Sequence, residues 1–232
     1  MRGAVALPAG DAKGVVMEGA GAFRADLGMW VELRSEVAAG VRPALFVDRD
    51  GVLVEEPGYL NRVEDVVMIP GAAEVVALAN RRGIPVVEVT NQAGIGRGYY
   101  GWREFLNVEE VVADALARSG AAIDAVFACP YHRDGVDPWV HPDHPARKPN
   151  PGMFTAAAEL LRLDLGRSWI VGDNLNDLKA GYNAGLRHGV LVLTGHGAEF
   201  REAVREWAPA EFGLRVVESI REAAGVVELL GA

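Results

Sequence analysis

Four short segments carry residue types that could do chemistry together. Asp48-Arg49-Asp50-Gly51-Val52 sets two carboxylates two residues apart, directly after the apolar run Ala44-Leu45-Phe46-Val47. Thr90-Asn91-Gln92 offers a hydroxyl and two amides and leads into Ala93-Gly94-Ile95-Gly96-Arg97-Gly98. A glycine-rich loop of this kind can present free backbone N–H groups to an anion. Arg147-Lys148-Pro149-Asn150-Pro151-Gly152 places two cations just ahead of a helical stretch. Cations at a helix N-terminus oppose the helix dipole, and an anion bound there resolves the conflict. Gly172-Asp173-Asn174 ends another apolar run, with Asp177 one helical turn further on. Each segment alone also has an ordinary reading, since Asp, Asn and Gly cap helices and make turns.

What must position these residues is an alternation of strands and helices. From Arg42 onward the pattern predicts strands at 44–47, 84–89, 123–128, 169–171, 190–193 and 214–217. Helices are predicted over 71–82, 102–119, 151–163, 175–184, 198–206 and 219–230, with Gly83 closing the first. Such alternation implies a parallel sheet covered on both faces, with ligands at the carboxyl ends of its strands. The expected architecture is therefore an α/β, Rossmann-like three-layer sandwich. Residues 1–28 show no periodicity and many glycines, and 29–39 read either as a helix or as a strand followed by a helix. Residues 1–40 are accordingly expected to be an N-terminal extension and 41–232 the domain.

In this order the four segments resemble the haloacid dehalogenase-like superfamily of aspartate-nucleophile phosphatases. Gly58-Tyr59, Ile69-Pro70-Gly71, the stretch from Thr90 to Gly98, and Arg147 to Met153 extend the likeness. Together they resemble the branch containing heptose-bisphosphate and histidinol-phosphate phosphatases. The resemblance implies that Asp48 attacks phosphorus, that Asp50 is the general acid and base, and that Asp48, Asp173 and the Asp50 carbonyl hold Mg²⁺. It also implies that Thr90 and Lys148 bind phosphoryl oxygens, with Glu56, Gly58, Tyr59, Asn91, Gln92, Arg147 and Asn174 contributing to substrate binding. Asp177 remains open between a partner of the metal site, a partner of Lys148 and a helix cap. Only 40 residues separate Asp50 from Thr90, and the predicted elements use most of them. No large cap domain fits, so the site is expected to be open and bordered by loops near 55–61 and 129–146.

The 129–146 loop departs from the branch. Its usual structural zinc is bound by Cys-x-His and Cys-x-Cys, whereas this chain reads Cys129-Pro130-Tyr131 and His144-Pro145-Ala146. Cys129, His132, His141 and His144 could form a shifted zinc site, or could be residues of a proline-stiffened flap without metal. Trp30, Trp102, Trp139, Trp169 and Trp207 are spread along the chain and are expected to pack in core or loops. His188 and His196 have no evident partner in the sequence.

Composition bounds the function. In 232 residues, 32 acidic side chains outnumber 23 basic ones, a net charge of −9 that argues against non-specific nucleic-acid binding. The lone Cys129 permits no intrachain disulfide, and no apolar run approaches the ~20 residues of a membrane span. A cytoplasmic, monomeric enzyme acting on a small phosphorylated metabolite is expected. A heptose bisphosphate is the leading substrate, with histidinol phosphate as the alternative. A non-catalytic phospho-ligand module of the same fold is the competing class, disfavoured by the full set Asp48, Asp50, Thr90, Lys148 and Asp173.

Overall fold

A computed structural model describes residues 21–36 and 39–230. Along the chain run β1 (Ala22–Arg24), β2 (Met29–Leu33), β3 (Leu45–Val47), α1 (Ala72–Arg81), β4 (Val86–Asn91), the single turn α2 (Ala93–Gly96), α3 (Trp102–Ala117) and β5 (Ala125–Cys129). There follow α4 (Gly152–Leu161), β6 (Trp169–Gly172), α5 (Leu175–Asn183), β7 (His188–Val192), α6 (Gly197–Trp207), β8 (Gly213–Val217) and α7 (Ala224–Leu230). The strands form one sheet in the order β1-β2-β5-β4-β3-β6-β7-β8.

The six strands from β5 to β8 pair in parallel, and their residues are mostly apolar because helices cover both faces. Alternation along each strand divides the core. Leu45, Val47 and Val86 face the layer of α1, α3 and α7, which contributes Val76, Phe105, Val108, Val112 and Val227. Phe46, Val87 and Val89 face α4, α5 and α6, which contribute Phe154, Leu178 and Val204. Each fully buried side chain of this size stabilises the fold by roughly 1.5–3 kcal/mol relative to exposure. The central strand β3 lies between β4 and β6, so the chain leaves it in one direction and later returns on its other side. A crevice opens at the carboxyl ends of strands where the order reverses in this way. The three-layer architecture agrees with expectation, and the segment between β3 and α1 is only loop and a short 3₁₀ turn.

The amino-terminal part differs. β1 and β2 form an antiparallel hairpin, and β2 pairs antiparallel with β5, Trp30 opposite Ala128. Residues 22–33, read as part of an extension, therefore extend the sheet, which is parallel everywhere except at this edge. Residues 1–20 of that extension lie outside the described part. The hairpin is secured by aromatic packing: Phe23 meets Trp139 edge-on at 4.9 Å, and Trp30 stacks on Trp102 at 5.4 Å. Trp102 also meets Trp139 at 6.2 Å, so three tryptophans far apart in sequence share one cluster. Trp169 instead stacks on His188, giving that histidine a structural partner.

Candidate active site

Asp48 follows β3 and continues its ladder, its N–H donating to the Val171 carbonyl at 3.0 Å. Its carboxylate is 2.9 Å from Lys148 Nζ. The same ammonium donates to the Val89 carbonyl at 2.8 Å and makes an ionic contact with Asp177 at 2.5 Å. Lys148 is held from behind by Asn91, whose amide exchanges two 3.1 Å hydrogen bonds with the Lys148 backbone. Both cations were expected to need a bound anion. For Lys148 two protein carboxylates already play that part, while the Arg147 guanidinium donates to the Tyr131 carbonyl and has no carboxylate partner among the described residues.

Asp173, at the end of β6, accepts the His196 N–H at 2.7 Å. Its carboxylate sits between Gly51 and Gly195, where a Cβ on either would overlap Asp173 Oδ2. Gly51 also has φ 77°, a conformation that side-chain-bearing residues rarely adopt. Thr194 closes the same corner, its hydroxyl donating to the Gly51 carbonyl at 2.6 Å. The Thr194-Gly195-His196 segment went unrecognised in the sequence. Its signal is available, because it lies at the carboxyl end of β7, the location already used to find the others.

Electrostatically the pocket carries too much negative charge. Burial raises Asp48 to about 7; the Lys148 charge opposes the shift, while Asp177 and Asp50 add to it. Burial also raises Asp173 to about 7, with the Asp48 charge adding to it. Ligand atoms of Asp48, Asp173 and Asp177 lie within 4.8 Å of one another, the one such group among the described residues. Three buried carboxylates against one ammonium fit a divalent, oxygen-preferring cation. Each of the three is also engaged within the protein: Asp177 with Lys148 and the Asn174 N–H, Asp48 with Lys148 and the Arg49 N–H, and Asp173 with the His196 N–H.

Several residues expected at the substrate are occupied within the protein. Gln92 donates to Asp50 at 3.2 Å and to Thr90 Oγ1 at 2.9 Å, and accepts the Tyr100 hydroxyl at 2.6 Å. Asn174 caps α5 by accepting the Asn176 N–H, and its own N–H donates to Asp177 in a capping box. Residues 93–98, read as an anion-binding loop, contain the turn α2 over Ala93–Gly96. There Ile95, Arg97, Gly98 and Tyr99 donate their N–H groups to local carbonyls. Gly94 and Gly96 are required because a Cβ would strike the Tyr100 ring or the Pro130 carbonyl. On the opposite rim Glu56 accepts N–H bonds from Gly58 and Tyr59, and the Tyr59 hydroxyl accepts from Arg97 at 2.7 Å.

The Cys/His set does not fit zinc. Among the described residues its donors do not converge. Burial pushes the Cys129 thiol up to about 12, whereas a zinc ligand must be a thiolate. The His144 ring lies flat on Tyr131, 3.8 Å between centroids, and both His132 nitrogens face the Arg97 guanidinium. The flap is organised by ring packing.

Fold and pocket together define a class: a parallel α/β sheet with an aspartate pair, a lysine and a further aspartate at its carboxyl edge. Residues 145–223 match a family model described as HAD-hydrolase-like. The chain belongs to the haloacid dehalogenase-like phosphatases, as its likeness to curated members shows. It is 49% identical over 166 residues to the D-glycero-beta-D-manno-heptose-1,7-bisphosphate 7-phosphatase of Mesorhizobium japonicum, covering 71% of this chain and 76% of that protein. A Burkholderia mallei relative, 41% identical over 64% of this chain and 79% of its own length, is named for the alpha anomer. Among solved structures, the D,D-heptose 1,7-bisphosphate phosphatase from B. bronchiseptica complexed with magnesium and phosphate superposes with TM-score 0.70 at 30% identity. That match covers 80% of this chain and 98% of the other. A putative HAD-like phosphatase from Mesorhizobium loti gives TM-score 0.78 at 41% identity, covering 88% and 93%.

Proposed function

We propose that this protein is a Mg²⁺-dependent phosphatase that removes the 7-phosphate of a D-glycero-D-manno-heptose 1,7-bisphosphate through an aspartyl-phosphate. The observation that carries the reading is the Asp48–Lys148–Asp173 pocket, found in a chain whose relatives are named for that reaction.

Asp48 supplies the attacking oxygen, and the P–O bond to the sugar breaks as the new P–O bond to Asp48 forms. Asp50 gives its proton to the departing alkoxide, then takes one from the water that attacks the aspartyl-phosphate and releases inorganic phosphate. Thr90 and Lys148 hold phosphoryl oxygens, and Arg147, a guanidinium with no carboxylate partner among the described residues, meets the substrate's second anionic end. Asp48, Asp173 and the Asp50 carbonyl would hold Mg²⁺, which offsets the repulsion between carboxylate and phosphate. Among the described residues no helix is long and apolar enough to cross a membrane, which agrees with a small diffusible substrate.

The test is phosphate release, with and without Mg²⁺, across both heptose bisphosphate anomers, histidinol phosphate and other sugar phosphates. One heptose bisphosphate anomer should exceed every other substrate in kcat/KM, and Asp48→Asn should abolish turnover while the thermal melt survives. Preference for histidinol phosphate would overturn the substrate, and an active Asp48→Asn the nucleophile.

A further inference from the structure

Arg49 lies between the two aspartates in sequence but turns away from the pocket, and it is fully buried. Its Nε and Nη2 each donate to one oxygen of Asp50, both at 3.0 Å. Nη2 also reaches Gln92 Oε1 at 3.3 Å, and the Phe105 ring lies 5.3 Å from the guanidinium carbon. On the far side Nη1 donates to Glu109 Oε1 on α3 at 3.3 Å. The other Glu109 oxygen accepts from Arg34 at 3.3 Å, and Arg34 pairs with Glu32 on β2 at 3.0 Å. A line of alternating charge, Asp50–Arg49–Glu109–Arg34–Glu32, thus runs from the pocket to the amino-terminal hairpin. Buried Glu88 lies in the same layer with both oxygens unpartnered among the described residues, and burial raises its carboxyl well above the usual range.

A buried ion pair is poor at conferring stability, because desolvation consumes most of its Coulombic attraction, and apolar residues of similar volume often do as well. What a guanidinium fork supplies is orientation, since two parallel N–H···O bonds fix the plane of a carboxylate. Asp50 needs that service. Its side chain is 17% exposed, it follows a strand of only three residues, and it precedes a glycine at φ 77°. A proton donor contributes only while it stays within hydrogen-bond reach of the leaving oxygen.

We infer that Arg49 is the positioning residue of Asp50, anchored by Glu109, and that through Arg34 the β1–β2 hairpin belongs to the same unit. The inference rests on Asp50 being the proton donor of the proposed reaction. Arg49 touches no reacting atom; it acts through the carboxylate it aims. Loss of the fork should therefore slow reactions in proportion to how much the leaving group needs protonation.

The experiment compares a sugar phosphate, a poor leaving group, with p-nitrophenyl phosphate, a good one, in Arg49→Lys and in Glu109→Gln. Arg49→Lys keeps the buried charge and loses the fork. It should lower kcat on the sugar phosphate by about 100-fold, within the range of general acid catalysis. The loss on p-nitrophenyl phosphate should stay under about 10-fold, with KM nearly unchanged on both. Glu109→Gln keeps the shape of the anchor and should give a weaker bias of the same sign, which decides the matter if the lysine variant fails to fold. Equal losses on both substrates in folded variants, or no loss, would overturn the inference. Asp50→Asn separates the two readings. A variant without leaving-group bias removes the donor assignment itself, whereas bias in Asp50→Asn but none in Arg49→Lys removes only the positioning role.

Discussion

The pocket and the 129–146 flap are neighbours built on opposite principles. In the pocket Asp48, Asp173, Asp177 and Lys148 are all buried, and their charges do not cancel. In the flap, Tyr131, Trp139, His141 and His144 meet as rings, with His144 pushed down to about 4 by burial and so uncharged near neutrality. The pocket holds an imbalance that a cation and a phosphate can relieve. The flap is complete without either. Residues that share a crowded, polar-looking sequence can thus be a reaction centre in one stretch and packing in the next.

The sharpest way to break this contrast is to remove the Lys148 ammonium from the pocket. Lys148→Met leaves Asp48 and Asp177 buried and uncompensated. Stripping one partner from a buried pair costs about 3–5 kcal/mol. Phosphate release should fall at least about 100-fold, the scale lost when a preorganised charge-stabilising group is removed. Denaturant unfolding and turnover check the two effects, and a stable or active variant would show that the carboxylates are balanced by something else.

Acidity gives a second, smaller test. Asp48 and Asp173 are raised to about 7 in the folded chain, above the usual carboxylate value that applies when it is unfolded. Between about pH 4 and 7 the folded state therefore binds more protons than the unfolded one, so stability falls as pH rises through that window. Metal-free protein should melt several degrees lower at pH 8 than at pH 5.5, on the order of 5 °C for a chain of this size. Mg²⁺ competes with those protons, so its stabilisation should be largest above pH 7 and fade below pH 5. A melting temperature in chelator that rises across the same window would contradict the charge excess.

How much of this was legible follows from which groups do the work. The strand-end aspartates, Thr90 and Lys148 carry their chemistry in side chains, and the alternation of elements says where strands end. The Val89 carbonyl and His196 N–H support the site through backbone groups, which leave no mark on residue type. Nothing in the sequence ties Arg49 to Glu109, which lies sixty residues away along the chain. β1 is three residues long, too short for periodicity to distinguish from a loop, while β2 is the strand of the strand-or-helix alternative that periodicity left open over 29–39. The tryptophans pack in core and loop as expected, but that Trp30, Trp102 and Trp139 share one cluster emerges only once β2 is known to lie beside β5.

The flap offers the finest test, because it turns on ring packing. Tyr131 stacks on His144 and touches the edge of Trp139, while its carbonyl accepts from Arg147 at 3.0 Å. Truncation in Tyr131→Ala removes the two closest of its three ring contacts, those with His144 and Trp139, each worth about 0.5–1.5 kcal/mol, together with the longer one to His141, and leaves the carbonyl in a looser loop. Stability should fall by roughly 1–3 kcal/mol on that scale. KM for a bisphosphate should rise several-fold as Arg147 loses its fixed acceptor. The kcat for p-nitrophenyl phosphate, which has no second anionic end, should barely change. Added zinc should restore nothing, since Cys129 stays buried as a thiol and the Cys/His donors do not converge among the described residues. Recovery of KM with zinc would mean that the donors can converge after all, and the division between a charge-bearing pocket and a ring-packed flap would fall with it.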